Sequence, residues 1–224
     1  MLKTLFKDRE AAGAELARTL KTHSVPADAL VLGLPRGGVP VAREIAQALG
    51  LELDVLNLRK LGLPRQPEVA MGAIAEDGTR YLDHRLIRAV GVTAEELERV
   101  QQRELDTLAS RIRRFRLVRK PAPVAGRTVI LVDDGVATGA TMELAVQVLR
   151  KREARRIIVA VPVGPLGTTA RFSSIADDCV CLLEPKIFNS VGLWYSDFQQ
   201  VSEEEVIEAL EEAQRLALNR SKTS

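Results

Sequence analysis

At 224 residues the chain has the size of one domain with a small appendage, large enough to bury a core without disulfides or structural metal. Lys and Arg number 32 against 30 Asp and Glu, a balance of +2 that excludes binding to nucleic acid or anionic membrane through bulk charge. A hydrophobic content of 46% excludes wholesale disorder. The absence of a long apolar run or of a signal-peptide core in residues 1–9 leads us to expect a cytoplasmic protein.

Leu5, Ala12, Leu16 and Leu20 recur at helical spacing and predict a first helix over residues 8–22, stopped by Pro26. The short apolar run from Ala29, bounded by Gly and Pro, reads as a strand buried on both faces. VPVAREIAQALG follows as a helix closed by Gly50. LDVLNLRKL reads as one further strand, and the Gly- and Pro-bearing stretch from Gly62 to Pro67 as a loop. MGAIAEDGTRYL reads as a hairpin or two strands around Asp77-Gly78. A long helix is predicted from Thr93, which forms a capping box with Glu96, to about Arg116, with Pro121 and Pro123 beyond its end. Then come a strand in GRTVILVDD, a helix in TGATMELAVQVLRKR and a strand in RRIIVAVPVG. A short helix near Leu166 to Ser174, a strand in DDCVCLLEP and an amphipathic helix opened by Ser202 and Glu205 complete the pattern. Strands alternating with helices predict an α/β fold with a parallel sheet and helices on both faces.

Cys179 and Cys181 share one face of their strand, so they are expected reduced and buried. His23 and His84 have no ligand spacing to them, and no protein-held metal is expected. The chemistry-bearing segment is TVILVDDGVATGATM, residues 128–142. A fully apolar strand ends in Asp133 and Asp134, and a small-residue loop then opens a helix. Such a junction points unpaired amides and a positive dipole end at an anion. Gly139 and Ala140 allow close backbone approach, and Thr138 and Thr141 add hydroxyl donors, together a cradle for a phosphate monoester. The two carboxylates would repel that phosphate, so they should face vicinal hydroxyls instead. A ribose 5-phosphate meets both demands.

VILVDDGVATGAT resembles the signature of the type I phosphoribosyltransferases, which bind 5-phosphoribosyl 1-pyrophosphate. The resemblance implies that Asp133 and Asp134 hold the ribose hydroxyls and that Ala137, Thr138, Gly139, Ala140 and Thr141 hold the 5-phosphate. A second strand-to-helix junction, LGLPRGGVPVA, resembles the family's pyrophosphate loop through Arg36, Gly37 and Gly38. Two glycines after a cation also suit a diphosphate on physical grounds. Arg59 and Lys60 end the preceding strand, GLPRQPEVAMG then corresponds to a mobile lid, and Lys60 or Arg65 would neutralise the departing pyrophosphate. Members acting on 6-oxopurines usually carry Asp where this chain has Ala137. That argues against hypoxanthine or guanine and leaves Glu68 as the candidate for handling the acceptor proton.

The resemblance covers residues 5–184 and implies a parallel-sheet phosphoribosyltransferase core over 1–184, with a small C-terminal hood and terminal helix over 185–224. Phe188, Trp194, Tyr195 and Phe198 are half of all the aromatic residues and fall in that hood, so Phe188 and Trp194 are candidates to stack on an acceptor base. The implied activity is transfer of ribose 5-phosphate to a nitrogenous base or related amine. Mg²⁺ would be held mainly through the donor's diphosphate, and a homodimer is possible. RIRRFRLVRK, residues 111–120, is the one dense basic run, and a solvated helix end is its expected role. The alternative is a non-catalytic regulator that binds the same donor and contacts RNA through that run.

Overall fold

The computed structural model describes residues 6–221, apart from the side chains of Glu68, Ser110, Arg111 and residues 217–221. In chain order the elements are α1 (Arg9–Leu20), β1 (Leu30–Gly33), α2 (Gly38–Leu49), β2 (Glu52–Val55), β3 (Leu58–Leu63), β4 (Gln66–Ala75), β5 (Arg80–Leu82), α3 (His84–Val90) and α4 (Ala94–Val118). They continue as β6 (Thr128–Val132), α5 (Ala140–Lys151), β7 (Arg156–Val163), α6 (Thr168–Ser173), β8 (Asp178–Leu183), a 3-10 turn over Val191–Trp194, and α7 (Glu203–Ser221). Five strands form a parallel sheet in the order β2-β1-β6-β7-β8, and β3-β4-β5 form a separate antiparallel sheet.

Period-two alternation assigns the two faces of the parallel sheet. Val31, Ile130, Ile158 and Ala160 pack under α1 and α2 with Leu16, Leu20, Val41 and Ile45. Leu30, Leu32, Val129, Leu131 and Val159 face the other way and meet Ala145 and Leu149 of α5 and Phe172 of α6. Both faces are covered, so every residue of β1 and β6 is buried, which is why these strands read as uninterrupted apolar runs. The signals at the end of α2 and the starts of α4 and α7 act as anticipated, and α1 has a cap that the sequence reading did not single out. Asp8 caps α1 by accepting from the Ala11 amide at 2.7 Å, and Gly50 closes α2 in the left-handed conformation at φ 68°. Thr93 and Glu96 form the capping box of α4, and Ser202 and Glu205 exchange the corresponding bonds ahead of α7. Leu5, and the tail beyond residue 221, lie outside the described residues.

Two expectations are corrected. The run LDVLNLRKL is two strands in different sheets, broken at Leu56–Asn57, because its polar members need partners that only a change of direction supplies. Buried Asp54 takes Arg116 Nη1 at 2.7 Å and the Ala122 amide at 2.9 Å, while Asn57 donates to Glu76 at 3.1 Å. Residues 62–67 are not a loop but the tip of the β3–β4 hairpin, with register shifts on both sides of Gly62. A Cβ at Gly62 would lie 2.2 Å from the Pro67 carbonyl, so the glycine serves a bulge between two strands. The pattern also gave no sign of α3, which buries none of its residues.

The C-terminal segment folds back onto the start of the chain. Phe6 pairs with Tyr195 in an isolated parallel bridge, and Ser196 and Asp197 donate to the carbonyls of Phe6 and Lys7. Trp194 and Tyr195 are thereby buried with Phe6 and Val163, with Phe188 half-buried against them. The terminal helix α7 completes another core cluster, placing Val206, Ala209 and Leu210 against Val39, Val55 and Phe115. No described helix is long and apolar enough to cross a membrane.

Candidate active site

Strand order fixes where a ligand can bind. From β1 the chain moves to β2 on one side, whereas from β6 it moves to β7 and β8 on the other, so β1 and β6 flank the switch point of the sheet. Gly33 and Val132 are register partners, and the Leu34 amide donates to the Val132 carbonyl at 2.9 Å. The two loops singled out by sequence, 34–38 and 133–139, therefore leave the sheet side by side.

They touch through their glycines. A Cβ on Gly37 would lie 2.0 Å from Asp134 Oδ2, and one on Gly38 would lie 2.6 Å from the Val132 carbonyl and 2.8 Å from the Asp133 Cα. The glycines of the first loop are thus demanded by the acids of the second. The Pro35–Arg36 peptide is cis, and Arg36 is half-buried at the turn into α2. On the other side Gly139 adopts φ 78° as the cap of α5, leaving Thr138, Ala140 and Thr141 exposed at the helix N-terminus beside exposed Ala137. Arg171 of α6 braces this loop, donating to the Thr138 carbonyl at 2.6 Å and to Glu143 at 2.8 Å.

The acid pair is largely shielded from solvent and electrostatically asymmetric. Burial and the adjacent Asp134 push the Asp133 carboxyl well above the ordinary carboxylate range. Burial also raises Asp134, but Arg9 pulls against it, donating from Nε to Oδ2 at 2.8 Å. The Tyr195 hydroxyl donates to the Asp134 carbonyl oxygen at 2.6 Å, and burial raises that phenol.

The β3–β4 hairpin faces the cradle. A cavity of about 370 Å³ separates them, lined by Arg59, Lys60, Gly62, Glu104, Ala140 and Thr141 among others. Lys60 is exposed on β3, and its neighbour Arg59 donates to buried Glu104 of α4 at 2.9 Å. Arg65, at the hairpin tip, reaches toward Glu96 at 3.5 Å, away from this cavity. The backbone of Glu68 is in β4, and its side chain lies outside the described residues. Phe188 and Trp194 occupy the C-terminal segment, and Trp194 is only 7% exposed, so its ring serves mainly to pack. Both cysteines are free, Cys179 buried and Cys181 half-buried, and burial pushes the two thiols up to about 12.

The basic run is divided: Arg113, Arg114 and Lys120 are exposed at the helix end, as expected, whereas Arg116 is half-buried and Arg119 buried. Arg114 pairs with Glu203 and Glu204, Arg116 with Asp54 and Glu76, and Arg119 with Glu52. Two residues of real consequence, Arg9 and Arg171, carry no signal in the sequence, and Tyr195 is marked there only as one of a cluster of aromatics, not for its bond to Asp134. Nothing in local spacing marks these contacts, because each joins residues far apart in the chain.

Glycine loops meeting at a switch point, one with a paired acid and one with a cation, define an α/β protein with an anion-ready crevice at the carboxyl ends of its central strands. The phosphoribosyl transferase domain family matches residues 6–196, and the chain belongs to that family. Two Mycobacterium tuberculosis proteins, "Putative phosphoribosyl transferase MT0597" of strain CDC 1551 / Oshkosh and "Putative phosphoribosyl transferase Rv0571c" of strain H37Rv, are each 47% identical to it over 211 residues. That alignment takes in 94% of this chain and 47% of each relative, so the chain spans about half the length of the curated proteins it matches. Among solved structures, TT1426 from Thermus thermophilus superposes with a TM-score of 0.86 at 45% identity, over 93% of this chain and 98% of the other.

Proposed function

We propose that this chain moves ribose 5-phosphate from 5-phosphoribosyl 1-pyrophosphate to a nitrogen of an acceptor base or related amine, with release of pyrophosphate. The observation that carries the reading is the contact of the two anion-ready loops across the switch point, with the shielded acid pair at their junction. The names of the mycobacterial relatives support the same activity. In this reading the 5-phosphate rests on the amides at the start of α5 and on the hydroxyls of Thr138 and Thr141. Asp133 and Asp134 accept from the ribose hydroxyls, and Arg36 with the Gly37–Gly38 backbone receives the diphosphate.

The bond from ribose C1 to the pyrophosphate oxygen breaks, and the electron pair leaves with pyrophosphate. The acceptor nitrogen closes on C1 from the opposite face, so configuration inverts. Positive charge passing through the ribose ring is stabilised by the carboxylates, while Arg36 and Lys60 offset the charge gathering on the leaving group. Glu68, on the hairpin, is our candidate for taking the acceptor proton. The described residues contain no group of three His, Cys, Asp or Glu side chains suited to hold a metal. Mg²⁺ held mainly through the donor's diphosphate and water would neutralise the leaving group when bound.

Calorimetric titration with 5-phosphoribosyl 1-pyrophosphate and Mg²⁺, followed by a pyrophosphate-release screen over purine, pyrimidine and pyridine bases, tests the proposal. Binding with base-dependent release supports it, and absence of binding refutes it. Binding without release would favour the regulator, although the ion-paired state of Arg114, Arg116 and Arg119 argues against its RNA-binding arm.

A further inference from the structure

We infer that Arg9 is a positioning residue for the ribose subsite, holding the Asp134 carboxylate in place and tying it to the C-terminal segment 195–199; the donor-binding half of this inference rests on the function proposed above. Arg9 is a first-turn residue of α1, yet it is only 9% exposed. Its guanidinium fork is divided between two distant parts of the chain. Nε donates to Asp134 Oδ2 at 2.8 Å, and Nη1 donates to the Gln199 carbonyl at 2.7 Å. The Phe198 ring covers the same group at 3.9 Å, and Tyr195 holds the Asp134 backbone from the other side. Gly37 leaves the space that the Asp134 carboxylate fills.

Two adjacent carboxylates are here shielded from solvent together. Without a cation their repulsion and desolvation would favour protonation or an outward swing, and either removes an acceptor from the ribose hydroxyls. The groups that face Asp134 are Asp133 from the end of β6, Arg9 from α1 and the Tyr195 hydroxyl from the C-terminal segment. Beyond Arg9, a cavity of about 320 Å³ carries Asp8, Glu10, Asp197 and Glu205. Arg9 is thus the cation between this acidic rim and the acid pair. Arginine suits the role better than lysine, because one planar fork can serve a carboxylate and a carbonyl together.

The test uses the full chain with Arg9→Gln and Arg9→Lys, each confirmed as folded by thermal unfolding. Carbon-13 NMR of the aspartate carboxyls follows the titration of Asp134 in the ligand-free protein. Arg9→Gln is expected to move its midpoint upward by about one pH unit or more, and Arg9→Lys to restore part of the difference. An unchanged midpoint would overturn the inference. Titration with 5-phosphoribosyl 1-pyrophosphate and Mg²⁺ near neutral pH should show binding weakened about tenfold or more in Arg9→Gln, and much less so when Asp134→Asn is already present. An equal loss in both backgrounds would mean that Arg9 acts only as a structural tie, which also overturns it. If the unaltered chain fails to bind the donor, the proposed function falls. The NMR titration then decides by itself whether Arg9 governs Asp134.

Discussion

Gly38→Ala probes the seam between the two loops. The added methyl would sit 2.6 Å from the Val132 carbonyl and 2.8 Å from the Asp133 Cα, where ordinary contact begins at 3.4 Å. Neither neighbour can turn away. Both are backbone atoms, and Val132 is a fully buried residue of the central strand whose carbonyl already accepts from Leu34. Overpacking of this kind costs about 1–3 kcal/mol, against which alanine's better helix propensity returns at most about 1 kcal/mol. We expect a net loss of about 1–2 kcal/mol, at roughly 2–4 °C of Tm per kcal/mol for a chain of this size, together with weaker donor binding as Asp133 is displaced. Gly37→Ala is the matched comparison. Its methyl would meet the end of the Asp134 side chain at 2.0 Å, which can swing aside, so donor binding should fall more than stability does. Urea and thermal unfolding read the first effect and calorimetry the second. A Gly38→Ala protein with unaltered midpoint and donor affinity would refute the account of the seam.

Other consequences follow from the same geometry. Arg116→Met leaves Asp54 and Glu76 buried without their shared cation, and should cost about 3–5 kcal/mol in urea unfolding; a loss below about 1 kcal/mol would show that the network contributes little. Asp133 has a folded-state pKa raised by burial and by Asp134, so the stability tied to its proton is full below the ordinary carboxylate range and is lost as pH rises through the folded value. Asp133→Asn, whose amide oxygen can still accept from the Asp134 amide, should therefore raise Tm at neutral pH by the equivalent of about 0.5–2 kcal/mol while abolishing donor binding. The Tm difference should close on acidification, and a lower Tm at neutral pH would contradict this. Arg171→Ala frees the Thr138 carbonyl and should weaken binding of ribose 5-phosphate severalfold with little change in Tm, since much of the side chain faces solvent. Equal affinities by calorimetry would exclude the bracing role. Arg113→Ala with Arg114→Ala should leave RNA retention on a filter at the level of the unaltered chain, and a specific loss would revive the regulator.

Much of the site is written locally. A β-branched apolar run followed by two acids, a glycine and hydroxyls describes a strand end and an anion-binding helix start, because each demand falls on consecutive residues. Gly139 needs its left-handed backbone wherever the loop lies, and the Thr93–Glu96 box closes within one turn. The β3–β4 hairpin was not legible in the same way. Gly62 and Pro67 carry turn chemistry whether they sit in a loop or in a bulge, and only pairing with β4 distinguishes the two.

The sequence by itself therefore determined the alternating α/β pattern, the faces of its helices and the chemistry of both loops, since these depend on period and on backbone needs within a few residues. Tertiary structure alone decided that the two loops touch, that Arg9 reaches Asp134 across 125 positions, and that Arg119, Arg116 and Arg114 of the basic run pair with Glu52, with Asp54 and Glu76, and with the start of α7. It also placed Trp194 in a core with Phe6. Pairings between distant charges and rings depend on the path of the whole chain, and strand order at the switch point sets that path.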